Sequence, residues 1–294
     1  MTERQVAEHS EFGLISEVDG FRLHGDRWKA GSKPEAVIVI AHGAAEHAGR
    51  YERFAAALSA QGFETWAIDH RGHGRSPGPK GLGDTGAGKW DGLIDDIAQL
   101  VREARRAVPH APVILFGHSM GAFAAQHFCT KYSASIDAVV LSGSTYFDLP
   151  AELRELPAFN FNAAFQPERT PYDWLSRDLA EVDKYIADPL CGFEAVAPVF
   201  TADDLRHLSA PSALAQIRPD LPVLLLAGDM DPLNGKLALL NVLQQKLREA
   251  GVQHIDTLYY EGGRHEMLNE LNRDQVMADV IKWLKATCAA KRSA

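Results

Sequence analysis

Long apolar runs are missing from this chain, and so are an apolar leader, a cysteine framework and any excess of basic charge. Each absence narrows the field. No stretch approaches the roughly 20 apolar residues that a membrane-crossing helix needs, so no transmembrane segment is expected. The first residues, Met1-Thr2-Glu3-Arg4-Gln5, are polar, and no secretory leader is read there. Three cysteines, Cys129, Cys191 and Cys288, are odd in number and far apart. They exclude a disulfide scaffold and fit a reducing, cytoplasmic setting. A formal net charge of −9 would be repelled by phosphate backbones, so no nucleic-acid partner is expected. Internal repeats and low-complexity segments are absent too, and no feature fixes the oligomeric state.

What is present is a soluble-protein composition, 46% apolar and 23% charged, arranged as strands alternating with helices. Phe12 to Val18 and Phe21 to Trp28 alternate around Asp19-Gly20 and read as a hairpin. Strand-like runs follow at Val37 to Ala41, Phe63 to Asp69, Val113 to Phe116, Ile136 to Leu141, Leu221 to Gly228 and Ile255 to Tyr260. Helical patterns lie between them at Arg50 to Gly62, Trp90 to Val101, Leu237 to Leu247 and Val276 to Leu284. This order implies a mostly parallel eight-stranded sheet flanked by helices, with ligands bound at the carboxyl ends of the strands.

Three loops at those ends carry chemistry. Val113-Ile114-Leu115-Phe116-Gly117-His118-Ser119-Met120-Gly121 reads strand, Gly-x-Ser-x-Gly, helix. A sharp turn of this kind exposes the Ser119 hydroxyl, aims the Met120 amide at a developing oxyanion and sets a helix N-terminus beneath both. The run ending at Gly228 leads into Asp229-Met230-Asp231-Pro232, with two candidate carboxylates. The run ending at Tyr260 leads into Glu261-Gly262-Gly263-Arg264-His265-Glu266, with a candidate base. The chain order Ser, Asp, His belongs to the α/β-hydrolase fold rather than to chymotrypsin-like or subtilisin-like enzymes.

The stretch 146–218 is too long for a loop between two core strands. Its apolar residues include Phe159, Phe161, Phe165, Trp174, Phe193 and Phe200. It is expected to be a helical cap inserted into a core of 1–145 and 219–294, with those six aromatics lining a substrate site. Such a cap is also where transient contact with a membrane surface would fall.

These motifs resemble those of the monoacylglycerol lipase and bacterial lysophospholipase family. The resemblance is carried by His42-Gly43-Ala44-Ala45-Glu46-His47-Ala48-Gly49-Arg50-Tyr51, by Asp69-His70-Arg71-Gly72-His73-Gly74-Arg75-Ser76, and by the Ser119, Asp231 and His265 loops. It spans about residues 10 to 285 and is weakest between about 146 and 215. It implies a triad of Ser119, Asp231 and His265, with Asp231 preferred to Asp229 because the family's acid sits three residues after this glycine. It implies Ala44 as the second oxyanion donor beside Met120, and His42 packed beneath that loop. It implies a small lipid ester as substrate, a monoacylglycerol or a lysophospholipid, and no cofactor. The histidine pairs His42/His47 and His70/His73 come without carboxylates or thiols at ligand spacing, so no metal is expected. Asp69 to Ser76 reads as a structural turn near the site.

Other chemistries on this fold fit less well. Dehalogenases and epoxide hydrolases need a carboxylate where Ser119 stands. A proline iminopeptidase-like enzyme would need an acidic, amine-recognising cap, for which Glu152, Glu155, Asp173, Asp178, Glu181 and Asp183 are available. A small-ester carboxylesterase is the nearer alternative. A non-catalytic binding protein would be expected to have lost a triad residue, and none is missing.

Overall fold

The computed structural model describes residues 8–31, 33–148 and 161–292. Eight strands form one sheet: β1 (Glu8–Ile15), β2 (Arg22–Lys29), β3 (Ala36–Ala41), β4 (Phe63–Ile68), β5 (Val113–His118), β6 (Ala138–Ser142), β7 (Val223–Gly228) and β8 (Ile255–Tyr260). Their order is β1-β2-β4-β3-β5-β6-β7-β8. β1 and β2 pair antiparallel, as do β2 and β4, and every later pairing is parallel.

The central strands are buried on both faces, which is why they read as continuous apolar runs rather than as alternation. Val37 and Val39 of β3 point into one core and Ile38 and Ile40 into the other. The first core is closed by α2 (Lys89–Ala107), α3 (Met120–Tyr132) and α7 (Ala238–Glu249). The second is closed by α1 (Glu52–Ser59) and α8 (Arg273–Arg292). The first hairpin differs from the expected one: β1 ends at Ile15 rather than Val18. The Asp19 carboxylate is taken by the amides of Phe21 and Gly88 and by the Arg71 guanidinium, so the turn is wider than a two-residue one.

Between β6 and β7 the described part of the insertion is mostly irregular. It holds a 3₁₀ turn (Asp173–Leu175), then α4 (Leu179–Ala187), α5 (Ala202–Leu208) and the single turn α6 (Pro211–Leu214). The Asp178 carboxylate caps α4, and a Thr201/Asp204 capping box starts α5. No helix among the described residues is long and apolar enough to cross a membrane.

Candidate active site

The turn from β5 into α3 forces Ser119 to φ 52° and ψ −121°. L residues rarely occupy that region, at a cost on the order of 1–3 kcal/mol. The surroundings hold it there. The Ser119 amide donates to Ser142 O at 2.9 Å, and Ser119 O accepts from the amides of Ala122 and Phe123. The two motif glycines make the turn geometrically possible. A Cβ on Gly117 would lie 2.3 Å from Gly121 O, and one on Gly121 would lie 1.9 Å from Ala41 O. The helix therefore packs backbone to backbone against the ends of β3 and β5.

The loop after β3 lies against the serine. A Cβ on Gly43 would come within 3.2 Å of Ser119 Cβ. His42 is fully buried beneath it, with Nδ1 2.8 Å from Gly43 O and Nε2 accepting from the His70 amide. Met120 heads α3, so its amide has no intrahelical partner, and neither it nor the Ala44 amide is taken by another described group. Ala45 O accepts from the Gly192 amide and the Tyr185 hydroxyl, each at 2.9 Å, which ties the loop to the insertion.

His265 donates through Nδ1 to Asp231 Oδ2 at 2.9 Å, and both side chains are about 1% exposed. The second oxygen of Asp231 accepts from the Leu233 amide. Asp229 instead accepts from the Gly262 amide at 2.7 Å and holds the two loops together. Those loops touch closely: a Cβ on Gly228 would lie 2.0 Å from Gly263 O. Burial disfavours charge on His265, yet the carboxylate of Asp231 overrides it, and the imidazole titrates above its ordinary range. His265 Nε2 has no hydrogen-bond partner among the described residues. The bond to Ser119 Oγ is therefore open in this conformation, as is common before substrate binds.

A buried ion cluster joins the His265 loop to the loop after β3. Arg50 donates to both carboxylate oxygens of Glu266, at 2.6 and 2.8 Å, and to Glu46 Oε2 at 2.7 Å. Glu46 Oε1 in turn accepts from the Gly43 amide and the Tyr51 hydroxyl. Burial alone would raise the Glu46 pKa, but Arg50 and the neighbouring histidines bring it down to about 2. His118, buried beside His265, is pushed down to about 4 by burial and by that neighbour.

The six aromatics expected to line one site are dispersed. Trp174 lies tilted against His265, with ring centroids 4.8 Å apart, and Phe161 lies tilted against Trp174 at 4.6 Å. Phe165 lies under the Arg264 guanidinium. Phe193 meets His73 edge-on, and Phe200 packs against Trp90 and Phe123 over the core. Phe159 lies outside the described residues. Arg71 is fully buried and ion-paired to Asp96 and Asp19, a structural role.

Sequence reasoning did not single out His118, Gly143, Tyr185 or the Arg50–Glu266 pair. Their partners are distant in sequence, and no spacing rule connects them. Among the described residues, His47, Asp188 and Cys191 come together at metal-like spacing. Both ring nitrogens of His47 are already engaged, by Asp188 Oδ2 at 2.8 Å and the Gly49 amide. Burial also pushes the Cys191 thiol far above the range in which it ionises. The cluster is explained as a hydrogen-bonded contact.

A parallel-sheet core, a strained serine at a strand–helix elbow and a buried His–Asp pair in the loops after β7 and β8 define an α/β-hydrolase. Residues 32–272 match the family described as serine aminopeptidase, S33, and the chain belongs to that family. It is 31% identical to a monoacylglycerol lipase of Mycolicibacterium smegmatis, over 97% of this chain and 99% of that one. It is 32% identical to a monoglyceride lipase of Rattus norvegicus, over 95% of this chain and 92% of that one. Among solved structures, a carboxyl esterase from Bacillus coagulans superposes with a TM-score of 0.85 at 21% identity, covering 95% of this chain and 99% of that one. A monoglyceride lipase from Saccharomyces cerevisiae superposes with a TM-score of 0.76 at 19% identity, covering 98% and 97%.

Proposed function

We propose that this serine hydrolase cleaves monoacylglycerols, with Ser119, His265 and Asp231 as its triad and the amides of Ala44 and Met120 as its oxyanion hole. Ser119 Oγ attacks the ester carbonyl while His265 Nε2 takes its proton. Negative charge forms on the carbonyl oxygen and is met by the two free amides, each such donor being worth roughly 3 kcal/mol of barrier. The tetrahedral adduct collapses, the C–O bond to glycerol breaks, and His265 returns the proton to the departing alcohol. Water activated by the same imidazole then attacks the acyl-enzyme, releasing the fatty acid and restoring the serine. Asp231 fixes the imidazole tautomer and favours the imidazolium that forms in each half.

The reading is supported by the buried His265–Asp231 bond, by the strained Ser119 at the β5–α3 elbow, and by Ala44 and Met120 amides that no other described group takes. The lipid substrate is supported by near-full-length similarity to monoacylglycerol lipases. The family description suggests a peptidase instead, but the described acidic residues that could meet a substrate amine are engaged elsewhere. Asp178 pairs with Arg273, Glu181 with Arg53 and Lys184, and Asp183 with Arg169, while Asp173 accepts from Thr170. Glu152 and Glu155 lie outside the described residues.

The test is a hydrolysis panel of monoacylglycerols, lysophospholipids, short p-nitrophenyl esters and aminoacyl amides, run beside Ser119→Ala. Monoacylglycerols should be preferred, and Ser119→Ala should lose turnover by on the order of a million-fold together with fluorophosphonate labelling. Preference for acetate esters or for amides, or labelling retained in folded Ser119→Ala, would refute the reading.

A further inference from the structure

The imidazole of His265 meets two rings from different parts of the chain. One is His118 of β5, with centroids 4.8 Å apart and planes inclined at 47°. The other is Trp174 of the insertion, also at 4.8 Å, inclined at 40°, and backed by Phe161. Gly143 crowds the same imidazole: a Cβ there would come within 2.8 Å of His265 Cε1. Asp231 fixes one ring atom, which leaves the tilt about that bond to be set by the flanking planes.

Trp174 does not reach the histidine by apolar packing alone. The Glu266 amide donates to Leu175 O at 2.8 Å and the His265 amide to Trp174 O at 3.4 Å. Arg264 donates to Asp173 O and Ser176 O, and Arg177 pairs with Glu270. The Trp174 amide donates to Asn162 Oδ1 at 2.9 Å. The indole is therefore registered to the base loop through its backbone.

We propose that Trp174 is a positioning residue for the general base, its indole face holding the His265 ring in its working tilt and favouring the imidazolium formed during the reaction. This rests on the reading of His265 as that base. An aromatic face within about 6 Å of a cation attracts it, most strongly when water is excluded and when the ring is indole. His265 meets this condition, being almost fully buried. Its other neighbouring ring, His118, is neutral near pH 7, since its pKa lies at about 4. Charged groups acting on the imidazole include Asp231 from the loop after β7, Glu266 beside it, and Glu46 of the loop after β3, and all three favour its protonation. The insertion's contribution is the indole face.

The test compares Trp174→Phe and Trp174→Leu in the full chain. Leucine keeps the site dry but removes the aromatic face, and phenylalanine keeps a weaker one. The substrate is p-nitrophenyl acetate, whose two-carbon acyl group is too short to report on a chain-binding surface, with a long-chain p-nitrophenyl ester run beside it. We expect Trp174→Leu to lower kcat by about tenfold and to move the acid limb of kcat/KM down by about one pH unit, with Trp174→Phe between it and the wild type. Should Trp174→Leu fail to fold by circular dichroism, Trp174→Met, unbranched and of similar bulk, takes its place. A folded leucine or methionine variant with wild-type kcat and acid limb overturns the proposal. So does a variant that raises only KM, and only for long-chain esters, because Trp174 would then be an acyl contact. Failure of the base assignment is separately visible: His265→Gln would keep wild-type turnover, whatever the Trp174 variants do.

Discussion

Replacing Glu46 by glutamine keeps the shape of a fully buried side chain and removes its charge. One oxygen of Glu46 accepts from the Gly43 amide and the Tyr51 hydroxyl, and the other faces Arg50. The amide retains an acceptor for the first pair but turns an NH₂ group toward the guanidinium. Glu46 titrates at about 2 against an ordinary 4.5, a depression set by Arg50 against the opposing effect of burial. Because the folded value is the lower one, the charged form adds stability that is fully present above pH 4.5 and is lost as pH falls toward 2. The shift corresponds to about 3 kcal/mol at neutral pH and about 1 kcal/mol at pH 3. Urea unfolding of wild type and Glu46→Gln at both pH values reads these gaps directly. A gap below about 1 kcal/mol at pH 7, or one that is the same at pH 3, would refute the reasoning.

Four further outcomes follow from the site. Asp231→Asn should lower kcat by roughly 10⁴-fold with the fold intact, whereas Asp229→Asn should lower Tm and leave kcat within a fewfold; the reverse ranking in matched kinetics and melts would displace Asp231 from its role. Because His265 must be neutral to accept the serine proton and titrates above its ordinary 6.5, the acid limb of kcat/KM should lie above pH 6.5, and a limb below pH 6 would contradict it. Gly143→Ala, at φ +58° and with its Cβ against His265, should cost roughly 1–3 kcal/mol in urea unfolding and also lower kcat; unchanged turnover would mean that the base does not rest there. Across monoacylglycerols of two to eighteen carbons, kcat/KM should rise by up to about fourfold per methylene until the chain-binding surface is filled, and a flat profile would remove the insertion from acyl recognition.

The chemistry-bearing loops were legible because each is a local event. A strand, a glycine-flanked serine and a helix occur within ten residues, and the same glycines that mark the motif are those whose Cβ would collide with Ala41 O or Gly121 O. The sheet was legible because Val37 to Ala41 and Val223 to Gly228 must be apolar on both faces. The Arg50–Glu266 pair bridges 216 positions and leaves no periodic trace. The insertion defeats reading for another reason. Phe200 and Trp174 are equally apolar on paper, yet one is core packing over Phe123 and the other lies against His265. Composition signals that aromatics will be covered but not what they will cover.

The backbone seam between residues 173–178 and the loop carrying His265 bears on how this enzyme can be recombined with its relatives. An exchange of the whole segment between β6 and β7 would sever the registered contacts from Asp173 to Asp178 on one side and from Arg264 to Arg273 on the other. The unit of exchange is therefore discontinuous: a donor segment replacing this one must bring its own histidine loop, or keep residues 173–178 from the recipient. Chimeras cut outside those bounds should change substrate range at constant turnover machinery. Chimeras cut through them should lose both together.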